Sequence, residues 1–370
     1  MNARDPRQLV RCIGPGAASE MEVTKGDPGA TPNPSSTEVR KQLGESVHMN
    51  EPAVSIIIVA WNSREAVMKC LQSLGALGRF PFSLETIVVD NFSNDGTPQA
   101  IMKEKEVVAK VGLKLLPNLR NVGLSMATEQ AYKIASGEWI LLCNPDVVFT
   151  RDFIGMVSFA RSQDSFSILA SEMVNRDGSV QRVVVRRFPT VARVFFSFSV
   201  LGSGVDSYLL RNFFTDDYTY SRTRFIEPVT SVDQPGASFL LLSRDAIERM
   251  GGIFSTEFPV WWNDVDLAKR AERAGIKRGV MPGVRIPHEL GHSAKKLARP
   301  ARRYMFCQSM VRYSRKWRMH PRLIQGLFVI DALLNMIGGW PMWSAQLGLG
   351  KGMRECWDYG MSQLRGILTA

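Results

Sequence analysis

Apolar residues in this chain gather into short continuous runs, and each run stops at a polar cluster. Residues 54–63 (VSIIIVAWNS) are apolar and β-branched until Asn62-Ser63, and residues 85–97 (ETIVVDNFSNDGT) repeat the pattern, ending in Asp90-Asn91 and a glycine. Runs of this length and composition predict strands buried on both faces. Between them the spacing becomes helical, in residues 64–74 (REAVMKCLQSL), from Pro98 onward, and in residues 126–137 (MATEQAYKIASG). Residues 114–125 (KLLPNLRNVGLS) and 137–149 (GEWILLCNPDVVF) add further extended segments. Strands alternating with helices predict an α/β fold, a mostly parallel sheet covered on both faces by helices.

In such sheets ligands collect at the carboxyl ends of the strands. Asn62, Asp90, Asn91, Asn121, Asn144 and Asp146 each follow an apolar or extended run, and this shared placement predicts one crevice. Taken alone, Asn144-Pro145-Asp146 reads equally well as a surface turn, because Asn-Pro and Asp are ordinary turn chemistry.

From about 151 to 230 the pattern is less regular, and the aromatic-rich residues 186–214 read either as a loop and helix excursion or as a lid. Residues 235–258 then predict a strand, a helix and a Gly-Gly stop. Residues 260–275 (VWWNDVDLAKRAERAG) predict a helix whose first turn holds Asp264 and Asp266. Acids in that position suit the helix macrodipole. Two residues apart, they share no face, and Asp266 is expected to pair with Arg270 at i+4.

Composition limits what such a fold can do. With 370 residues, 45% of them hydrophobic, the chain can bury the core of one large domain with extensions, or of two domains. Its five cysteines are scattered without a CxxC pair, which points away from a disulfide framework or thiolate metal site and toward a reducing cytosol. Residues 1–52 are rich in Gly, Pro, Ser, Thr and charge and lack a continuous apolar run, so they read as a flexible leader rather than a signal peptide. The net charge is +11, and from Lys295 to Arg322 there are ten Lys or Arg and no acid. This run is a solvated face or a partner surface. No nucleic-acid-binding pattern accompanies it, so an anionic membrane surface is the better functional candidate.

These segments, in this order, resemble the family 2 glycosyltransferases, in particular their rhamnosyltransferase-like branch. The resemblance spans about residues 54 to 318. It rests on 55–63, 89–97 (VDNFSNDGT), 121–125 (NVGLS), 137–149, 236–244 (GASFLLLSR), 261–270 (WWNDVDLAKR) and 288–293 (HELGHS). It implies a GT-A fold, a Rossmann-like, mixed but mostly parallel sheet flanked by helices, over residues 53–300 with a C-terminal helical extension over 301–370, a nucleotide-sugar donor (dTDP- or UDP-linked) and a divalent cation, Mg²⁺ or Mn²⁺. It also implies a glycan or lipid-linked acceptor, with rhamnose as the leading sugar and polysaccharide assembly as the setting.

Carried over by position, Asp90 is the acid that reads the base, with Asn62 beside the nucleotide and Asn91, Asn121 and Asn144 on the donor side. Asp146 ends the DxD-like slot, Asp264 is the expected catalytic base, and His288 belongs to the H-x-x-G-x-S element near the metal. The sequence departs from the pattern at Asn263, where a glutamate is expected, and at 126–132 (MATEQAY), where an Asn- and Gly-containing helix start is expected. Trp261 and Trp262 are core residues or an acceptor-sugar platform, with Asn263 beside them. Arg186 and Arg187 are a solvated pair or phosphate ligands.

Such a transfer needs help at both ends. A cation held by few carboxylates neutralises the departing diphosphate, and a carboxylate takes the proton of the attacking hydroxyl. One base opposite the leaving group implies inversion of the anomeric centre.

Residues 288–292 also spell H-E-x-x-H, which on a helix would be a zinc site. Pro287 before it, Gly291 within it and the lack of a third ligand at the usual spacing argue against that reading. Residues 323–343 are apolar but interrupted by Gln325, Asp331, Asn335, three glycines and Pro341, too broken for a membrane span. They read as a helix packed on the catalytic domain or on another subunit of a homo-oligomer. The alternative is an interfacial helix, with Trp340 and Trp343 at headgroup level, working at the inner face of a membrane. A non-catalytic binder of nucleotide sugars or glycans is the rival from another class, supported by Asn263. A nucleotidyltransferase ranks lower, because no early Gly-rich phosphate loop is present.

Overall fold

The computed structural model describes residues 53–181, 185–220, 225, 228–289, 296–338 and 349–370. The 1–52 leader, most of the 288–293 motif after Glu289, and Trp340 and Trp343 lie outside the described residues.

The apolar runs form the strands that their composition demands. β1 (Val54–Ala60), β2 (Leu84–Asp90), β3 (Leu113–Pro117), β4 (Trp139–Cys143), β5 (Ile168–Val174), β6 (Thr230–Ser231), β7 (Phe239–Ser243) and β8 (Arg278–Pro287) make one sheet, ordered β3-β2-β1-β4-β7-β5-β8-β6. The pairs β3/β2, β2/β1, β1/β4 and β5/β8 are parallel, whereas β7 runs antiparallel between β4 and β5. The sheet is therefore mixed and mostly parallel, as the sequence predicts. Alternate residues feed opposite cores: Ile56 and Ile58 of β1 pack into one cluster, Ile57 between them into the other.

Helices cover both faces. α1 (Arg64–Ala76), α2 (Thr97–Lys103) and α5 (Asp152–Ser162) lie over the first cluster. α3 (Lys105–Lys110) precedes β3. α4 (Leu124–Tyr132), α9 (Arg244–Met250) and α10 (Asn263–Arg273) lie over the second. The irregular stretch of residues 151–230 supplies α5 and β5 and after them three short helices, α6 (Val191–Phe198), α7 (Val200–Tyr208) and α8 (Phe213–Tyr218).

Among the described residues, three C-terminal helices follow: α11 (Arg299–Lys316), α12 (Pro321–Gly338) and α13 (Leu349–Leu368). They share a third apolar cluster with α6 and the start of α10, through Val194, Trp262, Val265, Met310, Tyr313 and Phe328. Asp266 fastens this layer to the sheet domain. Fully buried, it accepts from Arg270 Nε at 3.0 Å and Trp317 Nε1 at 3.0 Å, and pairs with Lys316 Nζ at 2.9 Å. The expected i+4 pair with Arg270 is present, and it is also a joint between elements.

α12 is built inside out. Its buried stripe of Ile324, Phe328, Asp331, Ala332 and Asn335 contains an acid and an amide, while Leu323, Ile330, Leu333 and Leu334 face outward. The buried acid is well partnered. Asp331 accepts from Arg303 Nη2 at 3.0 Å, Gln363 Nε2 at 3.0 Å, Asn335 Nδ2 at 3.1 Å and the Val200 backbone N–H at 2.6 Å. Two polar interruptions of the 323–343 run, Asp331 and Asn335, thus belong to its inward face. Among the described residues, no helix is long and apolar enough to cross a membrane.

Candidate active site

β1 lies between β2 and β4, so chain connections leave it in opposite directions and open a crevice at the carboxyl ends. Asn62, Asp90 and Asn144-Asp146 stand at those three ends, and His288 follows β8 at the same edge. A bridge between Val147 and His288, with Glu289 N–H donating to the Asp146 carbonyl at 3.2 Å, locks the β4 and β8 loops together.

On the β1–β2 side, the buried Asp90 carboxylate accepts one hydrogen bond, from Ser93 N–H at 3.2 Å, and its buried Oδ1 has no partner among the described residues. A buried acceptor left empty is costly and fits a ligand donor such as a base N–H. Asn62 sits in a left-handed conformation (φ 50°), and its Oδ1 accepts from Asn94 N–H at 2.8 Å. Lys296, at the start of the basic run, donates to the Asn62 carbonyl. Phe92, which the sequence reading passed over, is 57% exposed at φ 70°. That conformation is strained for a bulky residue and leaves an aromatic ring exposed two positions after Asp90.

Asn91 points inward. Its Oδ1 accepts from Asn118 Nδ2 at 3.1 Å and Val122 N–H at 3.0 Å, and its Nδ2 donates to Asn121 Oδ1 at 2.9 Å. Asn91 and Asn121 therefore shape the 118–123 loop.

On the β4 side, His288 is buried and its tautomer is set by its neighbours. Gln181 Nε2 donates to the His288 carbonyl at 2.7 Å, which leaves Gln181 Oε1 to accept from His288 Nδ1 at 3.0 Å. Nε2 then carries the lone pair, 3.4 Å from Asp146 Oδ1 and 3.2 Å from Asn144 Nδ2. Two ligands at right angles about one ion of the Mg²⁺ class, each roughly 2.1 Å from it, stand about 3 Å apart. The Asp146–His288 pair fits such an ion. Among the described residues no third His, Cys, Asp or Glu joins them, so substrate phosphate oxygens would complete the shell. His288 ends an extended segment, so residues 288–289 do not begin a helix, as the zinc reading of H-E-x-x-H requires.

A cavity of about 290 Å³ opens beside this pair, lined by Asn144, Arg186, Trp261, Asn263, Asp264 and His288 among others. The lining does not include Asn62, Asp90 or Asp146, which stand at the neighbouring strand ends. Asp264 forms an ion pair with Arg186 across the cavity wall, and its Oδ1 accepts from Val265 N–H at 2.9 Å. Arg186 is anchored from behind by Gln234, whose amide, oxygen turned to the guanidinium, accepts from Nε at 2.9 Å. Burial disfavours the Arg186 cation, Asp264 beside it favours it, and the pairing prevails, raising its pKa above the ordinary value.

The two tryptophans separate. Trp262, left-handed at φ 68°, turns its ring into the aromatic cluster 5.1 Å from Tyr313 and 5.8 Å from Phe306. Trp261 stays partly exposed on the cavity wall. Asn263 is 4% exposed, donates to Ser125 Oγ at 3.3 Å and accepts from Asp264 N–H at 2.9 Å, so it braces the start of α10 at Asp264. Gln181 and Gln234 were not singled out from the sequence; they lie in irregular segments with no periodicity to mark them.

Comparison with known proteins agrees with this architecture. The family described as Glycosyl transferase family 2 matches residues 55–202. The chain is 29% identical over 251 residues to the N-acetylglucosaminyl-diphospho-decaprenol L-rhamnosyltransferase of Mycobacterium tuberculosis, covering 64% of this chain and 76% of that protein. Its fold is similar to that of GalNAc-T7 solved with UDP, GalNAc and Mn2+, with a TM-score of 0.50, 14% identity, and coverage of 87% of this chain and 58% of that one. A mannosyltransferase from Pyrobaculum calidifontis, solved with GDP-Man and Mn2+, has a TM-score of 0.48 and 16% identity, with coverage of 90% and 92%.

Proposed function

We propose that this chain, a family 2 glycosyltransferase, moves a sugar from a uridine or deoxythymidine diphosphate donor to the hydroxyl of a lipid-linked saccharide, inverting the anomeric centre. The observation that carries this reading is the cavity where Asp264, Arg186, Asn144 and His288 converge beside Asp146. The empty buried Oδ1 of Asp90 supports a base with an N–H to donate, and Phe92 offers that base a stacking face. The mycobacterial relative, whose name specifies rhamnose transfer to a diphosphate-linked N-acetylglucosamine, supports the sugar and acceptor class.

Asp146 and His288 Nε2 would hold a divalent ion, Mg²⁺ or Mn²⁺. When bound, it would neutralise the charge growing on the leaving diphosphate. Asp264 accepts the proton of the acceptor hydroxyl while the hydroxyl oxygen bonds to the anomeric carbon. The bond from that carbon to the diphosphate breaks, and its electron pair leaves with the nucleoside diphosphate. Arg186 attracts the diphosphate; as it does so it releases Asp264. A carboxylate that takes a proton gives up its attraction to a neighbouring cation, so proton transfer is easier once a second anion has drawn that cation away.

The same reading places the enzyme at a membrane surface. The outward apolar side chains of α12 and the exposed Val200, Leu201, Leu209 and Phe213 of the adjoining α7–α8 segment offer an apolar face on a basic protein, the pairing that suits an anionic bilayer.

The test is release of nucleotide from a panel of UDP- and dTDP-sugars, with and without Mn²⁺. Metal-dependent hydrolysis of one donor, increased by a diphosphate-linked N-acetylglucosamine acceptor, is expected. Binding of a donor without any turnover would move the chain to the non-catalytic reading that Asn263 suggests.

A further inference from the structure

A second cavity, of about 390 Å³, adjoins the first and shares Phe198, Trp261 and Phe306 with it as a common wall. Its far side is different in character, being formed by Arg299, Arg302 and Arg303 of α11 together with Tyr359 of α13. Aromatic faces on one side and guanidinium groups on the other suit a ligand that is part sugar ring and part phosphate.

The three arginines are not equivalent. Arg303 is already neutralised: it donates to Asp331 Oδ2 and Gln363 Oε1, each at 3.0 Å, and to the Phe198 carbonyl at 3.1 Å. Its role is to hold the cavity wall. Arg302 keeps a buried Nε that meets no hydrogen-bond partner among the described residues, and Arg299 is exposed at the rim. These cations also stand at the wrong end of their helix. The first turn of α11 contains no acid, and among the described residues no side chain caps it. A helix N-terminus is positive, so arginines there repel the dipole unless an anion lies between them.

We propose that this cavity receives the phosphate or diphosphate group of the acceptor, with Arg302 and Arg299 as its ligands. The acceptor sugar then lies along Trp261, Phe198 and Phe306, where its hydroxyl turns toward Asp264 in the adjoining cavity. The proposal rests on the transferase reading above and names which part of the acceptor this chain recognises. The negative group sits on the opposite side of the aromatic wall from the donor diphosphate, so the two anions do not compete for one cation.

The experiment compares two probes: N-acetylglucosamine joined to a geranyl chain through a diphosphate, and the same sugar and chain joined without it. Binding is measured by calorimetry with UDP and Mn²⁺ present, so that the donor's own diphosphate site is filled. The wild type should bind the diphosphate probe at least tenfold more tightly than the neutral one. Arg302→Gln, and more fully the pair Arg299→Gln and Arg302→Gln, should remove most of that preference. Arg302→Lys, which keeps the charge, should retain part of it and separates recognition from misfolding.

Equal binding of the two probes by the wild type overturns the proposal, as does an undiminished preference in the double variant. If the double variant keeps the preference but no longer sediments with phosphatidylglycerol vesicles, the arginines serve bilayer headgroups and the proposal is wrong. Failure of the wild type to bind UDP would instead overturn the transferase reading, and this inference with it.

Discussion

Arg186 and Asp264, 78 positions apart in the chain, meet as an ion pair on the wall of the cavity that also holds Asn144 and His288. The pair fixes the carboxylate in place, and in the proposed reaction the guanidinium would take a second role once a diphosphate competes for it. Asp264→Asn should lower the transfer rate by roughly 10²–10⁴-fold, the usual range for loss of a general base, while UDP binds about as before. Single-turnover kinetics and a UDP titration would show this, and near-normal turnover would remove Asp264 from the role.

Arg186→Gln should act on both ends of the reaction. It removes the partner of Asp264 and a cation for the leaving group, so kcat should fall and donor KM should rise together. Steady-state kinetics with varied donor would separate this from a purely structural effect, which would lower the amount of active enzyme and leave KM unchanged.

His288 presents Nε2 to Asp146 only while Gln181 holds Nδ1–H. Gln181→Leu deletes that acceptor, and loss of such a supporting partner typically weakens a metal site by about 10–100-fold. The Mn²⁺ concentration giving half-maximal activity should rise accordingly. An unchanged titration would leave the ion without His288.

Asp266 is buried and serves Arg270, Lys316 and Trp317 together. Asp266→Ala leaves two cations facing an apolar layer, and breaking a buried pair in this way costs about 3–5 kcal/mol. Urea unfolding should report that loss, with α11 becoming susceptible to protease first.

Glu85 predicts the acid limb of the stability curve. Burial pushes its carboxyl up, but hydrogen bonds from Lys114, Ser55 and Ser136 outweigh burial, and the net shift is downward. A carboxyl lower in the folded chain than in the unfolded one stabilises above the unfolded value of 4.5 and loses that contribution as pH falls through the folded value. Thermal stability should therefore decline on acidification below about pH 4.5, and Glu85→Gln should flatten the decline at the cost of a lower melting temperature at neutral pH.

The outward face of α12 gives a membrane test that leaves its core intact. Replacing Ile330, Leu333 and Leu334 with serine removes partly exposed apolar surface worth roughly 1 kcal/mol each, about a hundredfold in partition altogether. Sedimentation with anionic vesicles should fall while the melting temperature holds. Unchanged sedimentation would place the contact elsewhere. Deleting residues 320–370 is a poorer test, because Ile324, Phe328, Cys356 and Ile367 are core.

How much was legible in the sequence varies with locality. Strands β1, β2 and β4 and the polar residues at their ends could be read because a doubly buried strand has to be apolar throughout and ligand chemistry begins where it stops. Asp266 with Arg270 was legible for the same reason, as neighbours on one helix face. The roles of Asp331 and Asn335 were not, since an acid in an apolar run looks like an interruption until Arg303 and Gln363 arrive from other helices. Nor could Trp261 be told from Trp262, because both adjoin one cavity and one aromatic cluster, and the left-handed backbone at Trp262 is what leaves that ring buried and Trp261 partly exposed.

The alternation of buried strands and helices, the strand-end acids and the basic C-terminal run belong to the sequence itself. Each follows from burial or charge acting over a few consecutive residues. Tertiary structure alone decided that Arg186 faces Asp264, that Gln181 sets the His288 tautomer, and that Asn144, 144 positions from His288, comes within 3.2 Å of it. Those contacts depend on the order of strands in the sheet and on how irregular loops pack over its edge, and no local period in the chain records either.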